Sequence, residues 1–383
     1  MHPGMGLVMA SWKDRINPQP MFDVLTMARE RESLGHYVAR MEIGDTPGFR
    51  NDYIHDLVKK YSTSPFRYSP SRGEDVLISK VLDTQWPTYS NENVVIGPAN
   101  FLITAALASV TSPGDYVMLP DPGFASYKLS ADFLGLKILY YPVYQAGSPS
   151  FPDLDDFLVP AGVKPKALIV NNPSNPLGIA FEGAQVRKSI EPLANKGIHV
   201  ILDETYINLV YDDTKSFVGD IEAIRLRSFS KEHCAPGLRI GYAVADPVAA
   251  QTMADLISLS ISCAPQFIQF AIAEYLGSSE ALTFTNSLKK EMGRRLQFLS
   301  DSIPHGLLQT SPNAAFYSLI DMGYRGGDLG FAFLLDRNVS TCPGSKFGQN
   351  SKNGVRVSLA GSADRFDTDI QMLRTALIEW GTQ

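Results

Sequence analysis

The sequence predicts an α/β fold built on a mainly parallel seven-stranded sheet, with a smaller α+β domain attached. Three observations predict it. Seven short apolar runs between residues 93 and 245 are mostly continuous rather than alternating, as strands buried on both faces are. Helical or turn-rich segments lie between most of them, which implies crossovers and parallel pairing. Beyond residue 250 the chain changes character, to long helical stretches with a few short strands. At 383 residues the chain is long enough for more than one domain. The expected division is an N-terminal segment (1–45) packing with the small domain, a large domain (46–250), and an interdomain helix with the small domain (251–383).

Taken in order, Met21, Phe22, Val24, Leu25, Met27, Ala28 and Leu34 recur at near-helical spacing, with Arg29–Glu32 on the other face. A strand-like piece, Val38–Ile43, ends at the turn Gly44-Asp45-Thr46-Pro47-Gly48, where a backbone can come close to a ligand. A helix through Val76, Leu77, Val81 and Leu82 precedes the strand Asn93–Ile96. The turn Gly97-Pro98-Ala99-Asn100 and a small-residue helix, Phe101–Val110, follow. Strand, glycine turn and helix start together suit an anion, although Pro98 removes one donor. The other six large-sheet strands are Tyr116–Leu119, Lys137–Val143, Lys166–Val170, Ile198–Leu202, Ala223–Ser228 and Ile240–Ala245. One long helical region is expected over 249–298, then strands at Ala315–Asp321 and Val355–Leu359, a helix around Leu329–Leu335, and a last helix, Thr368–Trp380.

The bulk numbers exclude several classes of function. Hydrophobic residues make up 44% and charged residues 19%, which places the chain among folded globular enzymes rather than disordered proteins. A net charge of −6 leaves no excess of cations for nucleic-acid phosphates. The three cysteines, Cys234, Cys263 and Cys342, form neither a disulfide framework nor a metal-ligand spacing, so no metal is expected and a reducing compartment is favoured. No apolar run approaches a membrane span, and the apolar part of residues 1–10 is too short for a secretory signal. The expected location is the cytoplasm.

Chemistry is concentrated in five places. Lys231 stands at the tip of an apolar strand, where an ammonium without a partner would be costly. Ser228 and Ser230 precede it and Arg239 follows eight residues later, donors suited to a phosphate. In Asn171-Asn172-Pro173-Ser174-Asn175-Pro176-Leu177-Gly178 two prolines flank Asn175 and fix its backbone at the end of a strand. Asp203 ends the strand Ile198–Leu202 and needs a cationic partner, and Tyr206 follows three residues on. Arg356 lies inside the apolar strand Val355–Leu359, where its planar fork suits a carboxylate. Phe124, in Asp121-Pro122-Gly123-Phe124, suits stacking on a planar ring. Each feature alone has an ordinary structural reading. Together they describe the needs of one cofactor and one substrate.

These motifs resemble the fold-type I pyridoxal-phosphate family, in its aspartate-aminotransferase-like branch of class I/II aminotransferases. The resemblance runs from about Gly44 to the last helix. It is carried by Asn172–Gly178, Asp203–Tyr206, and Ser228-Phe229-Ser230-Lys231 with Gly237–Gly241. It implies a large domain of the pyridoxal-phosphate-dependent transferase type. It further implies that Lys231 carries pyridoxal 5'-phosphate as a Schiff base and moves the substrate α-proton, and that Asp203 pairs with the pyridine nitrogen. Asn175 and Tyr206 would bond the ring oxygen, and Phe124 would stack on the ring. Ser228, Arg239 and the Ala99-Asn100 turn would hold the phosphate, helped by Tyr68 of a second subunit, so a homodimer with shared sites is implied. Arg356, with Asn175 and the Gly44 backbone, would bind the substrate carboxylate. Leu177, Pro98 and Phe124 depart from the family pattern without removing a catalytic group.

The reaction implied is transamination between an amino acid and a 2-oxo acid. The alternative is a lyase, cyclase or synthase of specialised amino-acid metabolism using the same cofactor and the same groups. A non-catalytic regulator is disfavoured, because Lys231 and Asp203 are both present and the residues before Gly44 carry no helix-turn-helix pattern.

Overall fold

A computed structural model describes residues 15–46, 48–63, 65–145, 147–158, 163–304, 307 and 310–382. The N-terminal residues read against a secretory signal, and Pro47 of the glycine turn, lie outside the described residues.

The strands in chain order are β1 (Ala39–Arg40), β2 (Val94–Gly97), β3 (Tyr116–Asp121), β4 (Lys137–Pro142), β5 (Tyr144–Gln145), β6 (Ser148–Pro149), β7 (Ala167–Asn171), β8 (His199–Asp203), β9 (Ile224–Ser228), β10 (Gly241–Val244), β11 (Tyr317–Asp321), β12 (Val339–Ser340), β13 (Cys342–Pro343) and β14 (Gly354–Ser358). Seven of them form the central sheet in the order β2-β10-β9-β8-β7-β3-β4, the seven expected from the apolar runs. Every pairing is parallel except those of β10, which runs against both β2 and β9.

The apolar runs are continuous because both faces of the sheet are covered. Val95, Ile169 and Leu226 pack beneath the helices Ala99–Val110 and Pro247–Ile261, while Val94, Ile96, Leu168 and Val170 face the opposite layer. Parallel strands β3, β7, β8 and β9 all end on the same edge of the sheet, at Asp121, Asn171, Asp203 and Ser228. That edge is where an open α/β sheet leaves room for ligands.

A second sheet, β11-β14-β13, is antiparallel, and the parallel pair β1-β12 lies with it in one core. The helices Ser279–Ser302, Gly327–Asp336 and Phe366–Gly381 complete that core around Leu296, Phe316, Val357 and Leu373. The opening helix, Pro20–Ser33, is tied to it by Arg31–Asp336 at 2.7 Å.

Two expectations need correcting. The single helical region over 249–298 is three helices, Pro247–Ile261, Gln266–Tyr275 and Ser279–Ser302. Ser262 (φ 64°), Pro265 at a cap and Gly277 (φ 76°) break the run, each incompatible with continued helix. The strand expected over Val38–Ile43 is reduced to Ala39–Arg40, because the Glu42 carbonyl is taken by Arg356 Nη2 at 2.6 Å instead of a strand partner. Among the described residues no helix is long and apolar enough to cross a membrane.

Candidate active site

Strand β9 delivers Ser228, whose hydroxyl accepts from the Ser230 amide at 3.1 Å and caps the one-turn helix Phe229–Glu232. That turn carries Lys231, whose Nζ donates to the Gly44 carbonyl at 2.7 Å, with the Phe316 ring 5.9 Å away. A Cβ on Gly44 would fall 1.9 Å from Tyr317 Oη, so only glycine lets this loop come so close. Behind the lysine, the buried Glu232 takes a hydrogen bond from Asn208 and lies 3.2 Å from His233 Nε2, off the direction of a ring hydrogen bond.

Asp203, one strand away, is buried. Its Oδ2 accepts from Tyr127 Oη at 2.7 Å and its Oδ1 from the Thr205 amide at 3.1 Å. Burial pushes its carboxyl above the usual range, opposed by these hydrogen bonds. Among the described residues it has no cationic partner. The neighbouring Glu204 takes the cations instead, at 2.6 Å from Arg225 and 3.1 Å from Arg227, so the two adjacent acids have separate environments. Tyr206 is buried, and burial, then Tyr317, raises its phenol well above 10. It is therefore a neutral donor at physiological pH.

Asn171 aligns with Asp203 across β7 and β8, and its Oδ1 accepts from the Asn175 amide at 2.8 Å. Asn175 Oδ1 in turn accepts from Arg356 Nη1 at 3.0 Å, joining residues 181 apart in the chain. Arg356 is fully buried rather than turned outward. Its guanidinium carbon lies 4.3 Å from the Tyr317 ring centre and 4.6 Å from that of Phe347, with Nη2 on the Glu42 carbonyl and 3.6 Å from Met21 Sδ. Its Nε is buried with no partner among the described residues.

The anion end is assembled by β10. Gly241 pairs with both Gly97 and Ser228, and a Cβ on it would meet the Ala99 methyl at 3.1 Å and the Ser228 Cα at 3.3 Å. The start of the helix Ala99–Val110 is thereby brought beside Ser228. Pro98 occupies the cap, outside the helix, so the Ala99 and Asn100 amides remain donors and the expected loss does not touch them. Arg239 adopts a left-handed backbone (φ 55°), is exposed, and gives Nη1 to the Pro236 carbonyl at 2.9 Å. Asn100 Oδ1 accepts from Ser126, which accepts from Gln19 Nε2 at 2.6 Å, so the segment before the first helix reaches this end of the site.

Phe124 caps the helix Ala125–Leu134, half-buried, and meets Tyr127 edge-on at 5.8 Å. A cavity of about 380 Å³ borders both, with Pro20, Lys346 and Phe347 among its walls, but does not reach Lys231. Tyr68 is 86% exposed and makes no hydrogen bond or ring contact with these residues among those described. Thus Lys231, Gly44, Asn175, Tyr206 and Arg356 interlock, Asp203 and Phe124 meet through Tyr127, and Ala99, Asn100 and Ser228 gather at one end. Tyr68 stays apart. Sequence reasoning missed Tyr127, Tyr317 and Asn171. Tyr127 had a signal, since it follows Phe124 by three residues on a helix.

The profile of the family described as aminotransferase class I and II matches residues 65–370. Among curated relatives, the probable aspartate/prephenate aminotransferase of Aquifex aeolicus is 27% identical, covering 97% of this chain and 99% of its own. The (5-formylfuran-3-yl)methyl phosphate transaminase of Methanocaldococcus jannaschii is 28% identical, covering 93% and 96%. Among solved structures, Thermus thermophilus aspartate aminotransferase with maleate superposes with a TM-score of 0.88 at 21% identity, covering 96% and 99%. At that identity the likeness concerns the fold.

Proposed function

This chain belongs to the class I and II aminotransferase family, a pyridoxal-phosphate-dependent one, and on that premise we propose that Lys231 carries the cofactor of a transamination between an amino acid and a 2-oxo acid. The donor set fits that group. It offers an amine, a buried acid lacking a cation of its own, two donors at Tyr206 and Asn175, and a helix start beside Ser228.

When bound, the cofactor supplies a carbon that exchanges amines and a ring that accepts the electron pair left at the substrate α-carbon. Lys231 would hold the group through Nζ and, once displaced by the substrate amine, would serve as the base that carries the α-proton. Asp203, held by Tyr127 and Thr205, would keep a positive charge at the ring nitrogen. Tyr206 Oη and Asn175 Nδ2 would donate to the ring oxygen. The Ala99 and Asn100 amides, Ser228 and Arg239 would hold the phosphate, and Phe124 would cover the ring. Arg356 would grip the substrate carboxylate, with Asn175 and the Gly44 loop beside it.

The observation that carries this reading is the Asn175–Arg356 hydrogen bond at 3.0 Å, which fastens a cofactor-side amide to a substrate-side cation. The lyase, cyclase or synthase alternative is not favoured, since the family and its named relatives are aminotransferases. Exposed Phe66 and Tyr68 support a homodimer in which Tyr68 reaches the partner's phosphate. We read residues 46–250 as the cofactor-binding domain and 251–383 as the small domain joined by 1–45, in a cytoplasmic enzyme. Lys231→Ala is expected to abolish the visible absorption of the purified protein. Mixing wild type with an amino acid alone should bleach that absorption once, stoichiometrically. An unchanged Lys231→Ala spectrum, or repeated turnover releasing ammonia, would overturn the proposal.

A further inference from the structure

Tyr317 entered the sequence reading only as part of a strand, yet four segments of the site meet on it. It is buried on β11, in antiparallel register with Ser358 of β14, which makes Arg356 its diagonal neighbour on the same face. The Arg356 guanidinium lies over its ring at 4.3 Å. Its hydroxyl accepts from that of Tyr206 at 3.2 Å. A Cβ on Gly44 would overlap the same hydroxyl, and a Cβ on Gly178, which ends the Asn175 loop, would lie 2.0 Å from the Tyr317 carbonyl.

We propose that Tyr317 is a positioning residue with two separable duties, its hydroxyl orienting Tyr206 and its ring supporting Arg356. The inference rests on the roles given above to Tyr206 and Arg356. A phenol has one proton to give. In the structure Tyr206 donates to Tyr317; if Tyr206 spends its proton on the ring oxygen of the cofactor, both hydroxyls must turn so that Tyr317 donates to Tyr206. Such a chain polarises the second donor and makes it stronger. The ring of Tyr317 acts on a different group. Together with the Phe347 ring, 4.6 Å away, it supports the guanidinium while Asn175 and Glu42 accept from its nitrogens.

The two duties are separated by two substitutions. Tyr317→Phe removes the hydroxyl and keeps the ring, while Tyr317→Leu removes both. Two readouts are taken on the cofactor-loaded proteins: the pH midpoint of the visible spectrum, and the dissociation constant of 2-methylalanine, an α-amino acid with no α-proton, titrated against that spectrum. A weaker donor to the ring oxygen leaves more charge there to hold the Schiff-base proton, so the midpoint should rise. Tyr317→Phe should raise it by about 0.3–0.6 pH unit with 2-methylalanine binding unchanged within twofold. Tyr317→Leu should show the same rise and bind 2-methylalanine roughly 3- to 30-fold more weakly. Should the leucine variant not fold, Tyr317→Met takes its place. Tyr206→Phe is the control and should give the larger rise. A wild-type midpoint in Tyr317→Phe beside a shifted Tyr206→Phe would refute the hydroxyl's duty. Equal binding by the phenylalanine and leucine variants would refute the ring's. An unshifted Tyr206→Phe would overturn the role of Tyr206 itself, and this inference with it.

Discussion

Replacing Arg356 by lysine keeps the charge and removes the fork. In the structure that fork is fully buried, packed against the rings of Tyr317 and Phe347, and oriented by Asn175 Oδ1 at 3.0 Å and the Glu42 carbonyl at 2.6 Å. Lysine brings a single ammonium, so one of two parallel bonds to a carboxylate is lost, about 1.5–3 kcal/mol for a charged hydrogen bond. Loss of the stacked plane adds about 0.5–1 kcal/mol. The total of about 2–4 kcal/mol corresponds to a roughly 30- to 900-fold fall in kcat/KM. A carboxylate is held equally before and during reaction, so the loss should fall on KM. The half-reaction with an amino acid, followed by visible absorbance over a range of concentrations, separates the two parameters. A kcat/KM within threefold of wild type, or a fall in kcat at constant KM, would refute the assignment of Arg356 to the substrate.

Two further perturbations address the frame around the site. Glu204→Gln removes the buried carboxylate that pairs with both Arg225 and Arg227 and should cost about 3 kcal/mol in chemical denaturation. The visible absorption of the folded fraction should be unaltered, since Glu204 pairs away from Asp203, and an unmoved denaturation midpoint would sink this prediction. Glu291 is held down to about 2, from an ordinary 4.5, chiefly by hydrogen bonds from Arg294 and then Arg295. Its folded value lies below its unfolded one, so the stabilisation is complete above about pH 4.5 and fades as the pH falls towards 2. Glu291→Gln should flatten that part of the stability profile, and an acid limb identical to wild type would contradict it.

Much of this was legible because it is local. The strands announce themselves as apolar runs covered on both faces, and Lys231, Asp203 and Asn175 stand where such runs stop. The reversal of β10 also had a signal. Residues 229–240 are at the lower limit for a crossover and carry only the single turns Phe229–Glu232 and Pro236–Leu238, so the chain returns directly. Tyr317 had none, because its contacts with Tyr206 and Arg356 are tertiary and its own stretch reads as an ordinary buried strand. Asp203 was expected to need a cation within reach. The chain instead supplies a neutral phenol from Tyr127, and the adjacent Glu204 absorbs the arginines.

The pairing of Ala39 with Val339, and of Val95 with Ala243, has a consequence for the order in which the molecule comes into being. Contacts so distant along the chain form only after long loops close, which makes folding slow and late events numerous. During synthesis Gly44 emerges long before Lys231, and Glu42 waits 314 residues for Arg356. The large sheet can gather while the ribosome is still at work, but the grip proposed for Arg356 cannot close until the last strand is made. A chain that stops short of residue 354 would keep Lys231 and Ser228 and lack the arginine proposed to seat the substrate.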